Sequence, residues 1–263
     1  MRVIAGRFKG MALATPKPGT RPTTDRTKEA VFSHLDSWDL VRGANVLDLF
    51  AGTGALGIEA LSRGAQSLVA VESAGPAAAL INGTLTQLKR SKAWRPELSA
   101  RVMRRRAEVF VDSYHGAPFD LVFIDPPYAH ATEECNALLD ALAQGEATGP
   151  DTMIVVERSA RSDALTPPAG WHEADARKYG ETAVIYLEPD TALNKKAFGF
   201  DTFSEAVRRA AIERARDTAK PSITGKITLV QEGTTNVQPG FIMFMPVYDT
   251  PSPPPGVVPC ATP

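Results

Sequence analysis

Asn45-Val46-Leu47-Asp48-Leu49-Phe50-Ala51-Gly52-Thr53-Gly54-Ala55-Leu56-Gly57 is the stretch on which the fold turns. An apolar run of strand length breaks into a glycine-rich turn and then into helix formers. Gly52, Gly54 and Gly57 fit G-x-G-x-x-G, the spacing that lets a backbone turn sharply and lets a ligand approach the main chain. From residue 45 to 188 such units repeat. Strands are expected at 45–50, 67–72, 100–104, 119–124, 152–157 and 183–187. Helices are expected at 55–63, 75–90, 106–112 and 132–143. Near-continuously apolar strands alternating with helices predict an α/β domain, a mostly parallel sheet covered on both faces. Residues 171–178 and 182–187 flank Tyr179-Gly180-Glu181 and predict an antiparallel hairpin at the sheet edge.

Two strand ends carry chemistry. At the first, Asp48, Phe50, Gly52 and Gly54 form a cofactor loop, and Glu72 ends the next strand twenty residues after Gly52. A carboxylate there suits a ribose diol. A dinucleotide site has the same outline. Asp48 separates the two, because an acid repels a pyrophosphate and attracts a sulfonium or an ammonium. At the second, Leu121-Val122-Phe123-Ile124 closes on Asp125-Pro126-Pro127-Tyr128. An exocyclic amine on a base is a poor nucleophile, since its lone pair is delocalised into the ring. Two acceptors for its N–H bonds turn that lone pair outward. The Asp125 carboxylate and the Pro126 carbonyl can supply them, and Tyr128 offers an aromatic face to a base drawn from its stack. The pair of loops predicts methyl transfer from S-adenosyl-L-methionine to an exocyclic nitrogen.

Composition sets the frame. The chain has 263 residues, 43% hydrophobic and 22% charged, with a net charge of −1. These values suit a soluble globular protein and give no global sign of a nucleic-acid partner. Local charge does. Residues 1–28 hold seven Lys or Arg against the single acid Asp25, and Arg101, Arg104, Arg105 and Arg106 form a second group. Cys135 and Cys260 make no metal or redox motif, and His34, His115, His130 and His172 lack ligand spacing and read as surface or packing residues. No signal peptide or membrane span is recognisable, so a cytoplasmic protein with no metal is expected.

Four regions follow. Residues 1–40 form a basic hairpin and a helix, with Gly6 to Gly10 as the turn and Thr23, Thr24 and Asp25 as the cap. Residues 41–190 form the α/β domain. Residues 191–248 break the pattern, with an Arg-rich helix over 203–218 and strands over 223–230 and 241–247. Residues 249–263 hold six prolines in fifteen and are expected to be disordered.

Residues 1–188 resemble the bacterial 16S rRNA (guanine-N2) methyltransferases of the class I Rossmann-like group. Arg2-Val3-Ile4-Ala5-Gly6-Arg7, Arg21-Pro22-Thr23-Thr24-Asp25-Arg26, the run from Leu47 to Gly64, Asp125 to Tyr128 and Val156-Glu157-Arg158-Ser159 carry the likeness. The resemblance implies a seven-stranded sheet, S-adenosyl-L-methionine as donor, and a guanine of small-subunit rRNA as target. It implies that Asp48, Phe50, Gly52, Gly54, Glu72 and Ala107 hold the donor and that Asp125, Pro126 and Tyr128 hold the base. Arg2, Arg7, Lys9, Arg21 and Arg26 would contact RNA, and a monomer is expected. Where the family often has Asp or Asn, this chain has Arg106. Either adenine relies on backbone groups there or Arg106 points to solvent. Adenine-N6 or other amino-group methylation stays open, because Asp-Pro-Pro-Tyr sites serve these nitrogens too.

Residues 193–248 resemble the second half of a CHASE sensor domain, on Phe198-Gly199-Phe200-Asp201, Ala215-Arg216-Asp217-Thr218, Thr224 to Glu232 and Gly240 to Tyr248. That leaves a small C-terminal α+β appendage, and a reading from another class, a ligand-binding sensor.

Overall fold

The computed structural model describes residues 1–13, 25–127, 129–190, 206–225, 227–228 and 239–246. The 16–22 linker, Arg21, Tyr128, the Pro-rich tail and much of the CHASE-like segment lie outside the described residues. The chain divides into two compact units, Met1–Asp190 and Thr191–Pro263.

In the first unit, helix α1 (Asp25–Ser37) precedes four strand–helix steps and a fifth strand: β1 (Asn45–Leu49), α2 (Ala55–Arg63), β2 (Ser67–Val71), α3 (Gly75–Arg90), β3 (Ser99–Met103), α4 (Ala107–Asp112), β4 (Leu121–Ile124), α5 (Thr132–Gln144) and β5 (Met153–Ser159). The hairpin β6 (Trp171–Tyr179) and β7 (Thr182–Pro189) follows. One seven-stranded sheet results, in the order β3-β2-β1-β4-β5-β7-β6. β3, β2, β1, β4 and β5 are mutually parallel, while β7 is antiparallel to both β5 and β6. Gly180, at φ 64°, turns the hairpin where Tyr179 pairs with Thr182.

The strands are apolar throughout because each face meets helices. Val46, Leu68, Ala70, Leu121, Phe123 and Val155 join a core under α1 and α2. Leu47, Leu49, Val69, Val71, Val122, Ile124, Ile154 and Val156 join a second core under α4 and α5. The period of two sends successive residues to opposite faces, and both faces are dry.

The N-terminal segment is a hairpin with one bridge, Arg2 to Ala12, and glycine φ values of 78° and 84° at Gly6 and Gly10. It is strapped to α2. Glu59, fully buried, accepts the amides of Ile4 at 2.8 Å and Ala5 at 3.0 Å. Lys28, also fully buried, lies 3.3 Å from Glu59 and donates to the Arg2 carbonyl at 2.7 Å. A Cβ on Gly6 would sit 2.0 Å from the Ser62 carbonyl oxygen, so only glycine permits this approach.

In the second unit, α6 (Ala206–Thr218) buries Ala211 and Ala215. The two expected strands are here broken into short pairs. β8 (Ser222–Ile223) pairs with β11 (Met243–Phe244), and β9 (Ile227–Thr228) with β10 (Pro239–Gly240). A bend at Gly225 divides the first run between two ladders.

Candidate active site

β1 and β4 are neighbours, with Leu49 level with Ile124. Phe50 and Asp125 therefore leave the sheet side by side, at the carboxyl rim where open α/β sheets bind ligands. The Asp125 amide still reaches the Leu49 carbonyl at 3.5 Å.

The donor loop is a set of satisfied amides. The Gly52 N–H donates to Glu72 Oε2 at 2.9 Å, the Gly54 N–H to the Ala51 carbonyl at 2.6 Å, and the Gly57 N–H to Asp48 Oδ2 at 3.0 Å. A dinucleotide loop keeps such amides for a pyrophosphate. Here three of them are already spent. The turn needs left-handed backbone at Phe50 (φ 58°), Gly52 (φ 56°) and Gly54 (φ 74°). For Phe50 that conformation costs about 1–3 kcal/mol, strain of the kind found at ligand clamps. A Cβ on Gly57 would lie 2.4 Å from Leu68 and 2.9 Å from Asp48 Oδ2, so α2 docks on the sheet only with glycine there.

Three carboxylates converge. Asp48 is buried beneath the loop, 2% exposed. Burial pushes its carboxyl up to about 7, the Gly57 amide opposes this, and the charges of Asp125 and Glu72 add to it. Asp48 thus offers the rim a field and a strut from under the loop. Glu72, half-buried, accepts Gly52 N–H through one oxygen and Ala74 N–H, at 2.7 Å, through the other. Each oxygen keeps a lone pair for a hydroxyl. Ala107 is buried and opens α4, and Arg106 before it is 73% exposed with its Nε 3.3 Å from Glu108 Oε2. Of the two readings of Arg106, the structure takes the solvent-facing one.

The loop that opens with Asp125 is held from both sides. Pro126 is half-buried and Pro127 exposed. His130 N–H donates to the Pro127 carbonyl at 2.8 Å, and no donor among the described residues meets the Pro126 carbonyl. His130, read from sequence as surface or packing, closes the gap between the loops, its ring 5.2 Å from that of Phe50. Arg158, 9% exposed at the end of β5, donates to Thr132 Oγ1 at 3.0 Å and the Asp163 carbonyl at 3.3 Å, bracing the start of α5. The Arg158 motif was legible, but not its role, because Thr132 lies 26 residues away in the chain.

Of the basic residues, Arg2, Arg7, Lys9 and Arg26 are exposed. The hairpin runs along α2. Met1 Sδ is 3.6 Å from Thr53 Oγ1 in the donor loop, whereas the Arg7 amide binds the Ser62 carbonyl, roughly 12 Å further down the helix.

The family described as conserved hypothetical protein 95 matches residues 1–188. This chain belongs to that family. Among its relatives is ribosomal RNA small subunit methyltransferase D of Escherichia coli, 33% identical over 184 residues, which span 70% of this chain and 87% of that protein. The protein of the same name from Haemophilus influenzae is 32% identical over 169 residues, 64% of this chain and 83% of that one. The solved structure of Escherichia coli yhhF superposes with a TM-score of 0.62 at 28% identity, covering 73% of this chain and 98% of that one. The fold of this family member is the Rossmann-like α/β fold of the methyltransferases. A CHASE domain also matches, over residues 139–258. That span reaches back past the 193–248 segment into α5 and β5 to β7, which in this structure complete the seven-stranded sheet.

The residues present fit S-adenosyl-L-methionine. Acids suit its two cationic groups, the Glu72 lone pairs suit its ribose, and the occupied loop amides leave little to grip a pyrophosphate.

Proposed function

We propose that this protein methylates the exocyclic N2 of a guanine in 16S rRNA, with S-adenosyl-L-methionine as the methyl donor. The observation that carries the reading is the register of β1 and β4, which sets the target loop one strand, about 4.8 Å, from the donor loop. The names of the relatives support rRNA of the small subunit as the substrate.

When bound, S-adenosyl-L-methionine supplies an electrophilic methyl on a sulfonium. Glu72 would hold the ribose, Phe50 and Gly52 to Gly54 would line the donor, and Ala107 would stand at the adenine. The Asp125 carboxylate and the Pro126 carbonyl would accept the two N2–H bonds and free the nitrogen lone pair for attack. Asp125, already an acceptor for one N2–H, would take the proton that the nitrogen sheds. Tyr128 stacks the base. Most of the rate comes from this positioning and from acceptors fixed before the base arrives. Arg2, Arg7, Lys9, Arg21 and Arg26 contact RNA phosphates. The protein acts in the cytoplasm as a monomer, and the reaction belongs to residues 1–188.

Small subunits from a strain lacking the modification, incubated with tritiated donor, should gain label in N2-methylguanosine. Asp125→Ala should abolish incorporation while donor affinity changes less than about threefold. Label in N6-methyladenosine would move the assignment to adenine. Full activity of Asp125→Ala would remove Asp125 from the chemistry.

A further inference from the structure

Arg101, Arg104, Arg105 and Arg106 have no part in the reaction above. β3 ends at Met103, so the last three project from the carboxyl end of a sheet-edge strand. Because β3, β2, β1 and β4 are parallel, that end shares the rim with the donor and target loops. It lies about 15 Å from β4 by strand spacing.

The segment is fixed in place. Arg105 N–H donates to the Glu72 carbonyl at 3.2 Å, and Glu72 N–H to the Met103 carbonyl at 3.1 Å. The guanidinium of Arg104 lies over Gly75, where a Cβ would come within 3.1 Å of its Cζ. Arg105 Nη1 donates to Ser113 Oγ at 3.0 Å. All four side chains are exposed. Among the described residues, Glu108 beside Arg106 is the carboxylate within ion-pair distance of this group. That exposed pair contributes little. Four guanidinium groups within six residues, so weakly compensated, repel one another and raise the local potential. A small anion would need enclosure that this open rim lacks. A polyanion with charges every few ångströms matches it, and guanidinium forks bind phosphate oxygens in pairs.

We propose that the rim formed by Arg104, Arg105 and Arg106, with Arg101 behind it on β3, is a second RNA-binding surface, separate from the N-terminal arm, which takes phosphates flanking the target nucleotide. The inference rests on RNA being the substrate. Its test is therefore binding rather than turnover.

Transcribed 16S rRNA, titrated with the full chain and followed by fluorescence anisotropy across a salt series, is the probe. In the triple variant Arg104→Gln/Arg105→Gln/Arg106→Gln, Kd should rise at least about tenfold near 0.1 M salt. The slope of log K against log salt should become shallower by about two to three, roughly one for each phosphate no longer neutralised. Donor affinity by calorimetry should stay within about twofold. Arg7→Gln/Lys9→Gln should add its own loss, as separate surfaces do. The single variant Arg106→Gln, at a 73% exposed side chain, guards against misfolding of the triple and should lower the slope by about one. Unchanged Kd and slope in folded variants, with wild type binding RNA, overturn this inference alone. Wild type that binds RNA but labels no guanine overturns the proposed reaction and leaves the binding surface standing. Wild type with no salt-dependent RNA binding overturns this inference, while the proposed reaction is decided by the labelling of small subunits.

Discussion

Phe50 and His130 pack edge to face, their ring centroids 5.2 Å apart, and so join the donor loop to the target loop. The packing leaves a cost in place. His130 Nε2 is enclosed with no hydrogen-bond partner among the described residues, which is worth about 1–3 kcal/mol against the closed arrangement. His130→Phe keeps an aromatic edge on Phe50 and removes the orphaned nitrogen. Urea unfolding should show a gain of about 1 kcal/mol. Transfer to RNA should slow in the same variant, because the loops part less readily. A loss of stability would show that Nε2 is satisfied in solution or that the contact of Nδ1 with Glu134, at 3.3 Å, outweighs it.

Asp48 gives the protein a pH dependence. Its carboxyl is raised from 3.8 to about 7, first by burial. Between those values the native state holds a proton that the unfolded chain has released. The stabilising contribution is thus full below about pH 4 and falls as pH rises to 7, by on the order of 4 kcal/mol. Asp48→Asn should flatten that fall and be the more stable protein at pH 8. A cationic donor favours the ionised carboxylate, so wild-type affinity should rise between about pH 6 and 7.5, with proton release in calorimetry. The Asn variant should show neither.

Glu72→Gln replaces one of two acceptors with a donor, facing the amide of Gly52 or of Ala74. The loss of one amide's acceptor, at part-buried Gly52 or exposed Ala74, and a missing ribose hydrogen bond together cost roughly 1.5–3 kcal/mol. Donor Kd should rise about tenfold or more in calorimetry. Unchanged affinity would take the ribose away from Glu72.

The Lys28–Glu59 pair is fully buried and also holds the backbone of the N-terminal arm. Lys28→Met leaves Glu59 buried with Arg63, 2.9 Å away, as its remaining cation, so the loss should fall short of the roughly 3–5 kcal/mol of a fully broken buried pair. Lys28→Met with Glu59→Leu should recover part of it. Hydrogen exchange should show the amides of Ile4 and Ala5 unprotected in both variants, since each has lost its acceptor or the order around it.

Truncation after Asp190 removes the whole second unit, which begins at Thr191. The shortened chain should fold with an intact far-UV spectrum and retain methyl transfer within about threefold. Loss of activity with retained folding would give the CHASE-like segment a part in the reaction.

The sequence by itself determined the strand–helix alternation and the positions of the two loops at its strand ends. These are local, written in apolar periodicity and in glycine and proline positions. Helices over 55–63 and 75–90 were legible to the residue because Pro, Gly and charge mark their ends. Tertiary structure decided what distant residues do to one another. It placed Asp48 under the loop instead of within it, and gave Glu72 two backbone amides to hold. It turned Arg106 outward, set His130 against Phe50, and locked the N-terminal arm to Glu59, 54 and 55 residues away. Periodicity carries no information about such pairings. They depend on strand order and on which face each residue presents, and both are fixed only when the whole sheet closes over its two cores.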